Sequence, residues 1–151
     1  MTKQVYLANT LIFEKGGPAS TFYLIRRGTV MFLNRTPDGK QHPFMEVDSH
    51  FGEFELFDKK TSRFWSAVAK TTVVVYELEA TKFLSLFSRN VLRESFLAHM
   101  NNRLSTFKKS EREIERAVRR LKRVQSKIRQ AGHRAIENIN MDIELSKAQQ
   151  G

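Results

Sequence analysis

Residues 51–78 read Phe-Gly-Glu-Phe-Glu-Leu-Phe-Asp-Lys-Lys-Thr-Ser-Arg-Phe-Trp-Ser-Ala-Val-Ala-Lys-Thr-Thr-Val-Val-Val-Tyr-Glu-Leu. The stretch closes on Val73-Val74-Val75-Tyr76-Glu77-Leu78, a run of β-branched and aromatic residues that predicts a strand. A single arginine, Arg63, stands at its centre, followed directly by two large rings, Phe64 and Trp65. A glycine beside a carboxylate, Gly52-Glu53, opens it, and a second carboxylate, Glu55, follows two residues later.

Upstream of this stretch the chain alternates short apolar runs with turn signals. Leu11-Ile12-Phe13 ends at Lys15-Gly16-Gly17-Pro18, and Phe22 to Ile25 leads to Gly28. Thr29 to Leu33 is rich in strand formers, with Asn34 and Arg35 marking its end. Thr36-Pro37-Asp38-Gly39 is a turn with a mechanism, because Pro presets φ and Gly accepts positive φ. Phe44 to Val47 follows as another strand. Short strands at close spacing indicate a sandwich, barrel or roll. Downstream the pattern turns helical. Phe83, Leu84, Leu86 and Phe87 suit a short helix, and Leu92, Phe96, Met100 and Leu104 a second. From about Ser105 the chain reads as one long helix, its tail after Met141 fraying.

The order of these features resembles the phosphate-binding cassette of the cyclic-nucleotide-binding domain family. That family's cassette runs Phe-Gly-Glu, short helix, loop ending in Arg, a few small residues, strand. Phe51-Gly52-Glu53, Arg63, Ala69-Lys70-Thr71 and the Val73 strand are similar to it. The approach is similar as well: Ile12 to Glu14, Gly16-Gly17, and Phe22 to Val30 with Gly28 at the tight turn. The resemblance covers residues 5–104. It implies an antiparallel β-roll and a pocket for cAMP or cGMP. Glu53 would take the ribose hydroxyl, Arg63 the phosphate and Gly52 the close backbone approach; Phe64, Trp65 and Ser66 would flank the phosphate. Such residues suit the task. Arg offers a planar, charge-assisted donor set for phosphate oxygens, and glycine lets backbone come close to a ligand.

The sequence also departs from that pattern. Ligand-binding members carry small residues after the arginine, where this chain has Phe64 and Trp65, whose rings would fill the phosphate's space. Glu55 stands where the family prefers a small residue, and a second carboxylate near an anion costs binding unless it turns to solvent. Strand-like residues begin almost at Met1, without the helix that usually precedes the roll; either the sequence is a fragment or that cap has been lost. On the residues alone, Arg63 also reads as a surface residue beside Lys59-Lys60, and Glu53 as a residue favouring a helix N-terminus. The balance predicts a vestigial pocket kept as scaffold, with no required cofactor.

Other chemistry has little support. His42, His50, His99 and His133 lack close metal-ligand spacing, so no metal site is expected. Ser62 and Ser66 carry no nucleophile signature and no Walker-type loop exists, so no catalytic residue is assigned. Cysteine is absent, which excludes disulfides and fits an intracellular protein. Residues 1–15 show no signal peptide, and no run is long enough to span a membrane.

The charge is uneven. The chain carries a net +10, and residues 108–130 hold ten Lys and Arg against three Glu. Ile114, Ala117, Leu121, Val124, Ile128, Ala131 and Ala135 form a thin heptad seam along the same segment. Arg112, Arg116, Arg119, Arg120, Lys122, Arg123 and Lys127 are therefore candidate contacts to a protein partner with an acidic surface. Nucleic acid ranks second, a membrane surface third, and a plain solvated helix remains open.

Together these readings predict an α+β chain: a jelly-roll-like antiparallel β-roll with flanking helices over 1–104 and a long basic helix over 105–151. The function expected is a non-enzymatic structural or interaction module of a larger intracellular assembly, cytoplasmic, cytoskeletal, ciliary or organellar. The alternatives are a cAMP- or cGMP-responsive regulatory domain, and nucleic-acid binding through the basic helix.

Overall fold

The computed structural model describes residues 1–36, 38–88 and 90–151, the side chain of Asn90 excepted. Eight strands are described: β1 (Thr2–Tyr6), β2 (Leu11–Phe13), β3 (Thr21–Arg27), β4 (Val30–Arg35), β5 (Gln41–Val47), β6 (His50–Phe51), β7 (Ser66–Ala69) and β8 (Val73–Glu79). Helix α1 (Phe54–Phe57) lies between β6 and β7, and α2 (Ala80–Ser85) and α3 (Asn90–Gln150) follow β8. All pairings are antiparallel, in two four-stranded sheets ordered β1-β8-β3-β6 and β2-β7-β4-β5. This is the expected β-roll with C-terminal helices.

Strand periodicity decides what fills the roll. Tyr23 and Ile25 of β3, Val30 and Phe32 of β4, and Val73 and Val75 of β8 are buried at alternate positions. Phe51, Phe54, Trp65, Ala67 and Ala69 from the cassette complete the interior, together with Met100 and Phe107 from α3. Gly28 turns β3 into β4 at φ +98°, and a Cβ there would meet the Thr72 carbonyl oxygen at 2.5 Å, so no other residue fits without movement.

Several local expectations change. Asn34 does not end β4; it lies inside the strand, buried, and its amide donates to Glu115 Oε1 of α3 at 3.0 Å. Pro37 lies outside the described residues, but Gly39 has φ +78° and its N–H donates to the Thr36 carbonyl at 2.9 Å, closing a turn there. The two helices read between Leu92 and the C-terminal tail are one, α3, because neither Pro nor Gly interrupts residues 91–131. The helix also continues to Gln150 instead of fraying after Met141, on a run of helix formers that includes Glu144, Leu145, Lys147 and Ala148.

Helix α3 has two parts of different surroundings. Phe96, Met100, Leu104, Phe107, Ile114 and Val118, spaced by three, four or seven residues, share one face and pack on the roll. They run beside β5, the edge strand of the second sheet, which the helix covers. Past Val118 every residue is exposed. That part, residues 119–150, extends for about 48 Å at 1.5 Å per residue, and at its start Leu121, Lys122 and Gln125 share a groove with Asp38, Lys40 and His42 of the roll.

Candidate functional site

The cassette follows β6 directly. Gly52 adopts φ +89°, and a Cβ there would sit 2.9 Å from the Thr21 carbonyl oxygen and 3.2 Å from Arg63 Nη1. Glycine at this position therefore makes room for the arginine. Helix α1 is a single turn with Glu53 at its N-cap, and the Glu53 side chain makes no capping bond.

Arg63 is not a surface residue. Its side chain is 1% exposed. Nη1 donates to the Gly52 carbonyl at 3.0 Å and to Glu55 Oε2 at 3.2 Å, and Nη2 donates to the Thr21 carbonyl at 2.6 Å. The guanidinium also lies 4.2 Å over the Phe13 ring. The Arg63 backbone is pinned too, with Gly16 N–H donating to its carbonyl and its own N–H donating to the Gly17 carbonyl, both at 2.9 Å.

Glu55 does not turn to solvent. It is buried, one carboxylate oxygen on Arg63 and the other accepting the Phe64 N–H at 2.9 Å. A carboxylate of this chain thus delivers one negative charge to the arginine that the family pattern assigns to phosphate.

Glu53 is equally enclosed, with 1% exposure. Its partner comes from α3: Arg103 Nη1 donates to Glu53 Oε1, and Arg103 Nη2 donates to the His50 carbonyl. Burial raises the Glu53 carboxyl above its ordinary range, with Arg103 opposing that rise. His50 Nε2 stands 3.6 Å from the same carboxylate oxygen. Burial, then the charge of Arg103 and then His99, push His50 down to about 4, so it is neutral at pH 7. Glu53 Oε2, His50 Nε2 and Arg63 Nε are buried without a hydrogen-bond partner.

The rings after Arg63 diverge in role. Trp65 points into the core, with ring centroids 5.3 Å from Phe44 and 5.7 Å from Phe107. Phe64 is only half-buried against the Trp65 edge. Ser66 is buried and its Oγ accepts the Lys15 N–H at 2.9 Å. A groove of about 410 Å³ touches Arg63, Phe64, Trp65 and Lys108, but Glu53 does not line it. Gly52, Glu53 and Arg63 are therefore gathered around one locus, and Phe64, Trp65 and Ser66 are spread over three environments.

Two participants escaped the sequence. Arg103 had one available signal: with Phe96, Met100 and Phe107 it shares the face of α3 that packs on the roll, and a cation on such a face needs a buried acid. Asn34 gave none beyond its strand position. Among the described residues no group of His, Asp and Glu is placed to hold a metal ion. No helix among them is long and apolar enough to cross a membrane.

The architecture and the cassette converge on a known class. The family model for the cyclic nucleotide-binding domain matches residues 3–90, and the chain belongs to that family. Among curated proteins it is similar to the cAMP-activated global transcriptional regulator CRP of Haemophilus influenzae, 29% identical over 87 residues. That match takes in 56% of this chain and 39% of the relative, so the chain spans well under half the relative's length. Among solved structures, the c-di-GMP responsive global regulator CLP of Xanthomonas campestris superposes with a TM-score of 0.61 at 21% identity, covering 74% of this chain and 56% of that one. The regulatory subunit of a cAMP-independent protein kinase A from Trypanosoma brucei gives 0.60 at 19% identity, covering 75% and 40%. These two likenesses establish the fold.

Proposed function

We propose that this chain is a non-enzymatic interaction module whose cyclic-nucleotide pocket is closed from within by its own side chains. One observation carries the reading: the Arg63 guanidinium is already paired, in the interior, with Glu55. A nucleotide phosphate would have to share that cation with a carboxylate about 4 Å away, a repulsion of about 4 kcal/mol at an effective dielectric of 20. Displacing Glu55 instead strands a buried charge, which costs about 3–5 kcal/mol. The ribose position is committed in the same way, since Glu53 is held by Arg103. Trp65 and Phe107 occupy the adjoining interior. The residues present do not fit cAMP or cGMP in this arrangement.

The interacting element of the module is then α3. Arg112, Arg116, Arg119, Arg120, Lys122, Arg123 and Lys127 are exposed and offered to an acidic partner. The independent extension begins after Val118, because Phe107, Ile114 and Val118 tie the preceding turns to the roll.

Calorimetric titration of the purified chain with cAMP and with cGMP tests the closed pocket. The expected result is no heat and no change in melting temperature at saturating ligand. A saturable heat from either nucleotide overturns the reading in favour of a ligand-responsive regulator. That second reading has its own support in the open valences of Glu53 Oε2 and Arg63 Nε. It requires Glu55 and Arg103 to swing away on binding, so proteolytic sensitivity of α3 would rise with nucleotide.

A further inference from the structure

The free part of α3 carries more than a surplus of charge. From Arg119 to Ile136 the chain holds seven Lys and Arg and not one Asp or Glu. None of these cations belongs to any ion pair among the described residues. At 3.6 residues per turn, Leu121, Val124, Ile128, Ala131 and Ala135 fall within an arc of about 80°. The cations occupy roughly the far half of the circumference, from Arg129 round to Arg120. Leu121, Val124 and Ile128 are 61%, 52% and 67% exposed, so an apolar stripe stands in water beside a basic arc.

Charge and shape narrow what covers it. A second copy would bring seven further cations against the first seven, and the Arg120 and Lys127 flanks of the seam would face Gln125 and Gly132 without any opposing acid. A membrane-surface helix draws on Trp, Phe and Leu for depth, and this stripe has one Leu and no ring after Phe107. A nucleic-acid groove neutralises cations but offers no extended apolar floor to Leu121, Val124 and Ile128. A flat acidic surface serves one side of the helix and leaves the rest unmatched. The surroundings that match both properties are an apolar groove with a carboxylate rim that wraps a single helix.

We infer that residues Arg119–Ile136 form the target helix of an acidic EF-hand calcium-sensor protein. Its apolar groove takes Leu121, Val124 and Ile128, and its rim pairs with the surrounding arginines and lysines. The unequal sizes of the stripe residues suit such a groove, since flexible methionine side chains repack around irregular targets. Calcium opens the groove in sensors of this type, so the complex depends on calcium. This inference rests on the reading of α3 as the interacting element.

The test uses the full chain, with calmodulin as the probe, at physiological salt. Fluorescence anisotropy is expected to show a saturable one-to-one complex with calcium and its loss with EDTA. Leu121→Asp combined with Ile128→Asp should weaken it about a hundredfold, as expected for central anchor residues. Ile128 lies clear of the roll, Leu121 stands largely exposed at a groove shared with Asp38, Lys40 and His42, and circular dichroism verifies that the helix persists. Polyglutamate, a probe with charge but no groove, separates the two readings. If polyglutamate binds as tightly as calmodulin, or the double variant and EDTA change nothing, the groove inference fails while basic docking stands. If neither probe binds, docking through α3 fails as well. Tighter binding to a DNA duplex or to phosphatidylserine vesicles than to calmodulin overturns the inference and assigns the helix to that surface.

Discussion

Replacing Glu55 by Ala removes the charge that neutralises Arg63 and leaves two other groups behind. The guanidinium stays in a site where it is 1% exposed, and the Phe64 N–H loses its acceptor. Breaking a buried pair by deleting one partner costs about 3–5 kcal/mol, and the orphaned amide falls within that range rather than adding to it. For a chain of this size each kcal/mol lowers the melting temperature by roughly 2–4 °C, so Glu55→Ala should melt about 6–20 °C below the parent. Glu55→Gln fills the space and keeps one acceptor oxygen, enough for either Arg63 or the Phe64 N–H but not both, and should lose less than Glu55→Ala. The vacancy left by Ala is a small anion site beside a buried cation. Inorganic phosphate at about ten times its dissociation constant should return about 1.4 kcal/mol to Glu55→Ala. The parent, whose site is filled by its own carboxylate, should gain nothing. Differential scanning calorimetry of the three proteins, with and without phosphate, reads all of this. Losses below about 1 kcal/mol in both variants, or equal phosphate stabilisation of variant and parent, would refute the internal-neutralisation argument.

Other expectations follow from the same contacts. Arg103→Ala strands Glu53 as a buried carboxylate, and urea denaturation should show a loss of about 3–5 kcal/mol that Glu53→Gln in the same chain largely restores. Because the Glu53 carboxyl is raised in the fold, the Arg103→Ala loss should ease as pH falls into the carboxylate range and deepen above it. His50 works in the opposite sense: its folded value of about 4 lies below the ordinary 6.5, so stability is complete above 6.5 and drains away as pH falls towards 4. His50→Gln should flatten the melting-temperature profile across that interval, and an unchanged slope would exclude this histidine as its source. Phe107 is 2% exposed, and Phe107→Ala should cost about 3–5 kcal/mol and loosen α3 to limited proteolysis. The two glycines Gly28 and Gly132 should respond with opposite signs. Gly28→Ala meets the Thr72 carbonyl at positive φ and should lose about 1–3 kcal/mol, whereas Gly132→Ala stands in open space within a helix and should gain up to about 1 kcal/mol by thermal melting.

The alternation of strand runs and turns made the roll legible, because a residue type's fit to a pleated or tightly turning backbone is a local property. Val73–Leu78 and Gly28 spoke for themselves in this way. The Phe51-Gly52-Glu53 and Arg63 pair placed the cassette, yet the direction taken by Glu55 was not local. Whether a carboxylate turns outward or in towards a cation depends on what lies across the roll, and Thr21, Gly52 and Phe13 set that from distant positions. Strand β6 is harder to see, being only two residues long. The continuity of the helical half has no local signal either. A change in what a helix packs against, from roll to water near Val118, leaves no breaker in the sequence, so continuity had to be read from the backbone.

The single uninterrupted rod of α3 has a mechanical consequence. It is anchored from Arg103 through Phe107 and Ile114 to Val118 and has no buried residue beyond that point. Over a free length of about 48 Å, a tilt of only about 5° at the anchor displaces the tip by about 4 Å. Val118, the last residue of the helix buried against the roll, sits at the fulcrum. Any event that loosened it would be magnified into a sideways sweep at the far end, with no hinge in between to absorb the motion.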